Sequence, residues 1–284
     1  MTLNQLITYL TDWNMIFAYM AVGFIAAAVE YVYGLFLSHS PVAEARARGY
    51  ARMHEAVAGF VTVTLFFMAV NAVAAAISQP NIPPPSAAVS MLERARDRFV
   101  KWLIEVANLE KDLTAAVITA PLVQTVAAAA MLGRIALQSM LALVAAFSFA
   151  LPLMTGGLGQ LMLAAGAACM ATPRLRHLGP YLIFSAIAIL VSGCGVASAA
   201  NDLAEQLKFK YEGFGSLPNP IEFFRIIYEL LTGRLIPALV NDGYNAARTL
   251  IWVSIGIAAA AVVAAAASGA AGGFADSLVN RIRL

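Results

Sequence analysis

Hydrophobic positions in this chain fall in long uninterrupted blocks. The clearest block, Thr249–Gly273, reads TLIWVSIGIAAAAVVAAAASGAAGG and contains no charged residue. A helix needs an apolar run of about 20 residues to cross a hydrocarbon core about 30 Å thick. Because lipid cannot satisfy an exposed backbone, such runs must be helical. The pattern therefore predicts an all-α fold, a polytopic transmembrane helix bundle.

Several blocks of this kind predict six to seven membrane spans. The blocks are Met15–Leu37, Ala56–Ile77, Leu113–Leu132, Ile135–Leu151, Leu158–Ala171, Tyr181–Ala200 and Thr249–Ala271. Only Gly133-Arg134 separates the third block from the fourth. The two blocks are either two spans joined by a turn or one long tilted helix. Leu158–Ala171 is short enough to be re-entrant.

Two long connections between the spans, 78–112 and 201–248, carry amphipathic patterns. In the first, Ser90 and Glu93 form a capping-box pair at a predicted helix start. Apolar residues then recur at helical spacing: Leu92, Phe99, Leu103 and Val106. In the second, Pro220–Gly233 has a helix-starting proline and a helix-ending glycine. We expect both to be interfacial helices, lying on the membrane surface or over the mouth of the bundle.

The composition strengthens this picture. Of the 284 residues, 61% are hydrophobic and 12% are charged, and the mean hydropathy is +0.78. A soluble domain has about 25% charged residues. We therefore expect residues 1–284 to form a single integral membrane domain. The net charge of +2 is too small to indicate a surface that coats nucleic acid.

The distribution of charge predicts an orientation. Short arginine-rich loops stay cytoplasmic, whereas long loops are translocated largely regardless of charge. In a seven-span arrangement with the N-terminus outside and the C-terminus inside, the cytoplasmic segments are rich in arginine. These arginines are Arg46, Arg48, Arg52, Arg134, Arg174, Arg176, Arg281 and Arg283. Both long connections then lie on the outer side of the cytoplasmic membrane. Arg134 marks a turn, as do Pro173 and Gly179.

Candidate chemistry is sparse. The sequence has no serine-hydrolase elbow, P-loop or zinc-binding motif, so we predict no enzyme activity, no cofactor and no metal site. Glu30 is the only acid inside a predicted span, and intramembrane acids are costly and often functional. Either Glu30 pairs with Arg52 or Arg134 across the bundle, or it couples an ion in a transporter.

The last span carries small residues at every fourth position. They are Gly256, Ala260, Ala264 and Ser268. Small residues at this spacing let two helices approach closely. This surface predicts helix packing, either within the monomer or between subunits of a homo-oligomer.

The stretch Leu151–Ile183 combines a Leu-Pro helix end, a glycine-rich helix, a Pro-x-x-Arg turn and a glycine that opens another small-residue helix. The residues concerned are Leu151, Pro152, Gly156, Gly157, Gly159, Pro173, Arg174, Arg176 and Gly179. This stretch resembles the polytopic inner-membrane channel component of type IV secretion systems, nearest to the membrane protein of the crenarchaeal Ced-type DNA-import machinery. Pro180 departs from the family, which often has a second glycine there.

The resemblance implies an archaeal, oligomeric channel for DNA transfer, by import or by conjugation-like exchange. It also implies a separate motor ATPase and small membrane proteins as partners. Two other functions stay open at this point. One is a secondary transporter for a small solute or ion, with Glu30 as the coupling residue. The other is a scaffold for pilus or secretion assembly that has no pore.

Overall fold

The computed structural model describes residues 13–76, 83, 85–115, 120–211, 228 and 235–282. This part of the chain is helical and contains no strand, so the predicted all-α class is confirmed for it. The helices are α1 (Trp13–Ser38), α2 (Ala43–Ala76), α3 (Pro85–Ala115), α4 (Ala120–Leu153), α5 (Gly159–Ala171), α6 (Leu178–Gln206) and α7 (Leu235–Ile282).

Four helical segments in the described part of the chain are long and apolar enough to cross a membrane. They are Ala18–Ser38, Leu122–Ala171, Leu178–Gln206 and Leu235–Gly273. In addition, α2 has no charged residue between Ala56 and Ala76. These segments are consistent with a membrane protein. The number of spans and their orientation stay predictions.

The predicted turn at Gly133-Arg134 is wrong, because α4 runs through both residues. The flanking residues are mostly alanine, leucine and methionine, which favour helix, and one interior glycine costs only about 1 kcal/mol. Gly133 is a packing position: a Cβ there would lie 2.7 Å from the Trp102 ring and 3.3 Å from Gly243 Cα. The predicted fourth span therefore shares one helix with the predicted third span from Ala120 onward. Leu113–Ala115 belongs to α3, and residues 116–119 lie outside the described part of the chain.

The helix is interrupted further along, between α4 and α5. Met154–Leu158 forms a π-helical turn in which Gly157 has φ +127°. Pro152, at the end of α4, lacks an N–H for the helical hydrogen bonds. Glycine accepts the positive φ without steric cost. The 13-residue α5 then packs against α1 and α2.

The chain divides into two compact units. Unit 1 comprises residues 1–85, 150–192 and 257–284, and unit 2 comprises residues 86–149 and 193–256. Because α4, α6 and α7 each contribute residues to both units, the units are not consecutive stretches of sequence.

Unit 1 is packed through glycines that bring helix backbones together. A Cβ on Gly34 of α1 would lie 2.9 Å from the Gly49 carbonyl oxygen of α2. A Cβ on Gly59 of α2 would lie 2.6 Å from the Ala171 carbonyl oxygen of α5. These distances leave no room for a side chain, so α1, α2 and α5 meet as small-residue helices do in membrane bundles.

Unit 2 is packed around one continuous apolar stripe of α3. Its side chains recur at alternating intervals of three and four residues, and all are 0% exposed: Ala88, Leu92, Ala95, Phe99, Trp102, Val106, Leu109 and Leu113. The stripe is buried against protein, so this face of α3 does not contact lipid. The interfacial position predicted for the helix stays a prediction.

The predicted boundaries of the amphipathic helices need one correction. Helix α3 begins at Pro85, where proline suits a first turn, so Ser90 and Glu93 are not a capping box. The Ser90 hydroxyl donates to the Ala87 carbonyl inside the helix (2.9 Å). The second amphipathic helix, Pro220–Gly233, lies outside the described residues except for Tyr228.

Candidate functional site

The acid predicted inside a span, Glu30, is paired in unit 1. Arg52 Nη1 of α2 donates to Glu30 Oε2 of α1 at 3.0 Å, and the side chains are 33% and 23% exposed, respectively. The Arg52 guanidinium carbon also lies 4.5 Å from the centroid of the Tyr33 ring, a cation–π contact. Of the two interpretations of Glu30, the structure contains the pairing with Arg52.

The Arg176 turn closes α5. Arg176 is 4% exposed, its Nε donates to the Met170 carbonyl (3.3 Å) and its Nη2 donates to the Glu55 carbonyl (3.4 Å). Met170 belongs to the last turn of α5, whose carbonyls lack helical partners. Arg176, predicted as a charged loop residue, is therefore a buried helix cap. Its neighbour Arg174 is exposed.

Gly179 brings α6 against α5. A Cβ at Gly179 would lie 2.6 Å from the Gly166 carbonyl oxygen of α5. The intervening turn begins after Ala171, passes through Pro173, and is closed by backbone bonds from Leu175 N to Thr172 O (3.1 Å) and from Leu178 N to Leu175 O (2.9 Å). The motif residues of this turn thus join two helices.

Two other predicted arginines begin α2. Arg46 and Arg48 are exposed, and Arg48 pairs with Glu44 one helical turn away (3.3 Å). An exposed pair of this kind contributes about 0.3–0.5 kcal/mol. The side chain of Arg281 and all of Arg283 lie outside the described part of the chain.

Arg134 pairs with Glu110 and not with Glu30, the partner expected if the third and fourth spans were one helix. Arg134 Nη2 of α4 contacts Glu110 Oε2 of α3 within unit 2, and both side chains are partly exposed. The polar residue that seemed to mark a turn thus joins α4 to α3.

A buried carboxylate that the sequence analysis did not single out organises unit 2. Asp242 of α7 is 0% exposed and accepts three hydrogen bonds, from Trp102 Nε1 (3.0 Å), Lys208 N (3.1 Å) and Phe209 N (2.9 Å). A buried charge is tolerated only with such partners. Asp242 fixes the amides of the chain that follows α6.

Arg98 of α3 holds the carbonyls of the same segment. Its Nη2 donates to the Leu207 carbonyl (3.0 Å) and the Phe209 carbonyl (2.9 Å). Its Nη1 lies 3.6 Å from Glu105 Oε2, an ion pair longer than a hydrogen bond. We call Arg98 and Asp242 together the 207–209 clamp. The clamp was not predictable, because it joins residues more than 100 positions apart in the sequence.

An open groove of about 770 Å³ lies beside the clamp, between the exposed face of α3 and residues 210–211. Its lining mixes cations, acids and aliphatic side chains: Arg96, Asp97, Val100, Lys101, Ile104, Glu105, Asn108, Lys210 and Tyr211. No sequence motif indicated it, because residues 210–211 reach α3 through contacts between distant segments: the clamp, and the Tyr211 hydroxyl, which donates to Asp112.

The small residues of α7 are only partly used inside the monomer. Ser268 is buried, and its Oγ donates to the Ala264 carbonyl (2.5 Å). Ala260 and Ala264 are half-buried. Gly256 is exposed, and a Cβ built on it would meet nothing within 4 Å. The Gly256 side of α7 is thus left open by the described residues.

No protein-family model, curated protein or solved structure matches this chain. Within the described residues, no three His, Cys, Asp or Glu side chains are grouped so that they could hold a metal ion.

Proposed function

We propose that this chain is a multi-span subunit of a conduit for DNA transfer across the cytoplasmic membrane. The proposal starts from the stretch Leu151–Ile183 and its resemblance to the channel component of type IV secretion systems. Gly166, Arg176 and Gly179 in this stretch contact backbone atoms of neighbouring helices. Such contacts suit the wall of a conduit, which must be held rigidly and needs no reactive side chain.

The Glu30–Arg52 pair is the observation that favours a conduit over an ion-coupled transporter. A coupling carboxylate must exchange its proton or ion during every cycle. Glu30 instead has a guanidinium partner at 3.0 Å, which is itself stacked on Tyr33. Because the sequence has no P-loop, energy would come from a separate motor ATPase, as the resemblance implies, with small membrane proteins as further partners.

The contacts of Arg176 support a specific topology. Its bond to the Glu55 carbonyl puts the 172–178 turn beside the first half of α2, which carries the exposed Arg46 and Arg48. Segments on one side of a membrane are joined by an even number of crossings. We propose that α2 supplies one and the interrupted helix formed by α4 and α5 supplies the other, so that α5 adds no crossing of its own.

Counting α1, α2, α4, α6 and α7 then gives five crossings, with the N-terminus outside and the C-terminus inside. This arrangement keeps the 39–55 and 172–178 segments cytoplasmic, as the positive-inside rule requires. It also keeps both long connections outside. The predicted sixth and seventh spans are not needed to keep these two segments cytoplasmic. Arg134, which the seven-span arrangement counts as cytoplasmic, lies inside α4 and pairs with Glu110.

The proposed conduit is a homo-oligomer that associates through the Gly256 side of α7. An open small residue on an apolar helix lets the backbone of a second helix approach closely. The remaining exposed side chains of this helix, such as Val262 and Val263, are suited to lipid or to neighbouring subunits.

The proposal is tested by deleting the gene and restoring it in variant forms. Deletion is expected to abolish DNA transfer between cells while growth and solute uptake stay normal. Wild type restores transfer. Gly256→Leu fails to restore it, because the leucine blocks the approach of the next subunit, whereas within the monomer a Cβ at this position meets nothing within 4 Å. Ala258→Leu, on the opposite side of the same helix, is the matched control and restores transfer.

Three outcomes would contradict the proposal. Transfer at the wild-type rate in the deletion strain would show that the chain is not required for DNA transfer. Failure to take up one solute favours the transporter. Loss of partner assembly in the deletion strain, together with full transfer by a Gly256→Leu strain, favours a scaffold that has no pore.

A further inference from the structure

We propose that the groove between α3 and residues 210–211 binds the headgroup of an anionic phospholipid. This site goes beyond the proposed conduit, which requires no particular lipid. The groove lies wholly within unit 2, and its position is fixed by the 207–209 clamp, which holds residues 210–211 beside the exposed face of α3.

The charges around the groove leave a net positive site. Arg96 and Asp97 neutralise each other through contacts of 3.2 and 3.0 Å. Glu105, the other acid of the lining, is shared between Arg98 (3.6 Å) and Lys101 (3.8 Å). Two cations thus lie beside one carboxylate, which leaves one positive charge in excess. Lys101 is 67% exposed.

Lys210 adds a second source of positive charge. Its side chain is exposed, and no ion-pair partner for it occurs within the described residues. Lys101 and Lys210 both line the groove, so a phosphodiester seated there would meet a surplus of positive charge. The Asp112 carboxylate, which accepts from the Tyr211 hydroxyl, offsets part of the surplus and leaves one positive charge, which a phosphodiester with a single negative charge matches.

The aliphatic lining indicates that the phosphate belongs to a lipid. Val100 and Ile104 lie one helical turn apart on α3, line the groove, and are 40% and 53% exposed. Lysines with aliphatic neighbours suit an amphiphile, because the cations bind its head and the apolar side chains contact its first acyl carbons.

The same groove is poorly suited to a DNA strand. Proteins that hold single strands combine cations with exposed aromatic rings on which bases stack. Tyr211 is the one aromatic residue of the lining; it is buried, and its hydroxyl donates to Asp112 Oδ2 at 2.7 Å. Its ring is therefore not available as a stacking platform.

The test is a lipid titration of the full chain in neutral detergent, followed by native mass spectrometry. Phosphatidylglycerol is compared with phosphatidylcholine for wild type, for Lys101→Gln/Lys210→Gln, and for Lys111→Gln/Lys208→Gln. The last pair removes one exposed lysine from α3 and one from the 207–211 segment, but neither lines the groove. Thermal unfolding without lipid checks that all three proteins are folded.

Wild type is expected to prefer phosphatidylglycerol. A lysine near an anionic lipid contributes about fivefold in affinity, so the groove variant is expected to lose about 25-fold and the control pair much less. Equal binding of both lipids, or equal losses in both variants, would overturn the proposal. So would displacement of the lipid by millimolar inorganic phosphate or by a single-stranded oligonucleotide, since either would show that the site does not require a lipid.

Discussion

Unit 1 and unit 2 differ in the contacts that pack each of them internally. In unit 1, helices approach until glycine Cα atoms face carbonyl oxygens, as at Gly59 and Ala171. In unit 2, α3 buries Phe99 and Trp102 completely, and a buried carboxylate, Asp242, binds a non-helical segment. Unit 1 resembles a membrane bundle in its packing. Unit 2 has one close glycine contact, Gly133 against Gly243, and adds the large apolar side chains and the polar network of a globular core.

This difference predicts which kind of substitution destabilises each unit. Lipid gives little hydrophobic drive for helix association, so a bundle such as unit 1 depends on close dispersion contacts. Unit 2 depends on burial of large side chains, about 1.5–3 kcal/mol each, and on complete satisfaction of buried polar groups. Added volume is therefore expected to damage unit 1, and a removed polar partner to damage unit 2.

The largest effect is expected at Asp242. Asp242→Ala leaves the Trp102 indole N–H and the Phe209 amide without their acceptor, which is expected to cost about 3–5 kcal/mol of unfolding free energy. Chemical denaturation of the purified chain measures this cost, and limited proteolysis near residues 207–211 shows whether the segment is released. Asp202→Ala, which removes an exposed acid of α6, is the control. A loss below 1 kcal/mol at Asp242 would mean that the clamp is not essential to unit 2.

A smaller effect is expected at Gly59 in unit 1. Gly59→Ala places a methyl group 2.6 Å from the Ala171 carbonyl oxygen, so α2 and α5 must separate, at a cost of about 1–3 kcal/mol. Gly269→Ala in α7 meets nothing within 4 Å and is expected to be neutral or stabilising. Thermal unfolding in one detergent compares the two proteins. Equal melting temperatures for the two variants would show that close backbone packing at Gly59 does not stabilise unit 1.

The smallest effect concerns the Glu30–Arg52 pair. Both side chains are partly exposed, and polar pairs between membrane helices average about 0.6 kcal/mol. A double-mutant cycle with Glu30→Gln and Arg52→Gln is therefore expected to give a coupling of about 1 kcal/mol, with DNA transfer preserved in each variant. If Glu30→Gln alone abolished transfer, and no substitution at Arg52 restored it, the result would favour Glu30 as the coupling residue of a transporter.

The sequence predicts the general class of this molecule, because blocks such as Thr249–Gly273 leave no alternative to helix in lipid. Glu30 was predicted to pair with Arg52 or Arg134 because a carboxylate inside a span is costly without a cation, and the structure contains the pair with Arg52. The Gly133-Arg134 turn was wrongly predicted because a glycine used for contact with Trp102 looks the same in sequence as a glycine used for a turn. Asp242 and the groove depend on contacts between distant segments, and no local pattern encodes those.

If DNA passes through an assembly of this chain, as we propose, crosslinking during transfer joins the two. Cells that are actively transferring a marked DNA are treated with formaldehyde, and the tagged chain is recovered under denaturing conditions. The marked DNA is expected to be recovered with wild type, and to fall to background with Gly256→Leu and when the motor ATPase is inactive. Recovery no greater than that with an unrelated multi-span protein, while transfer proceeds normally, would contradict the account.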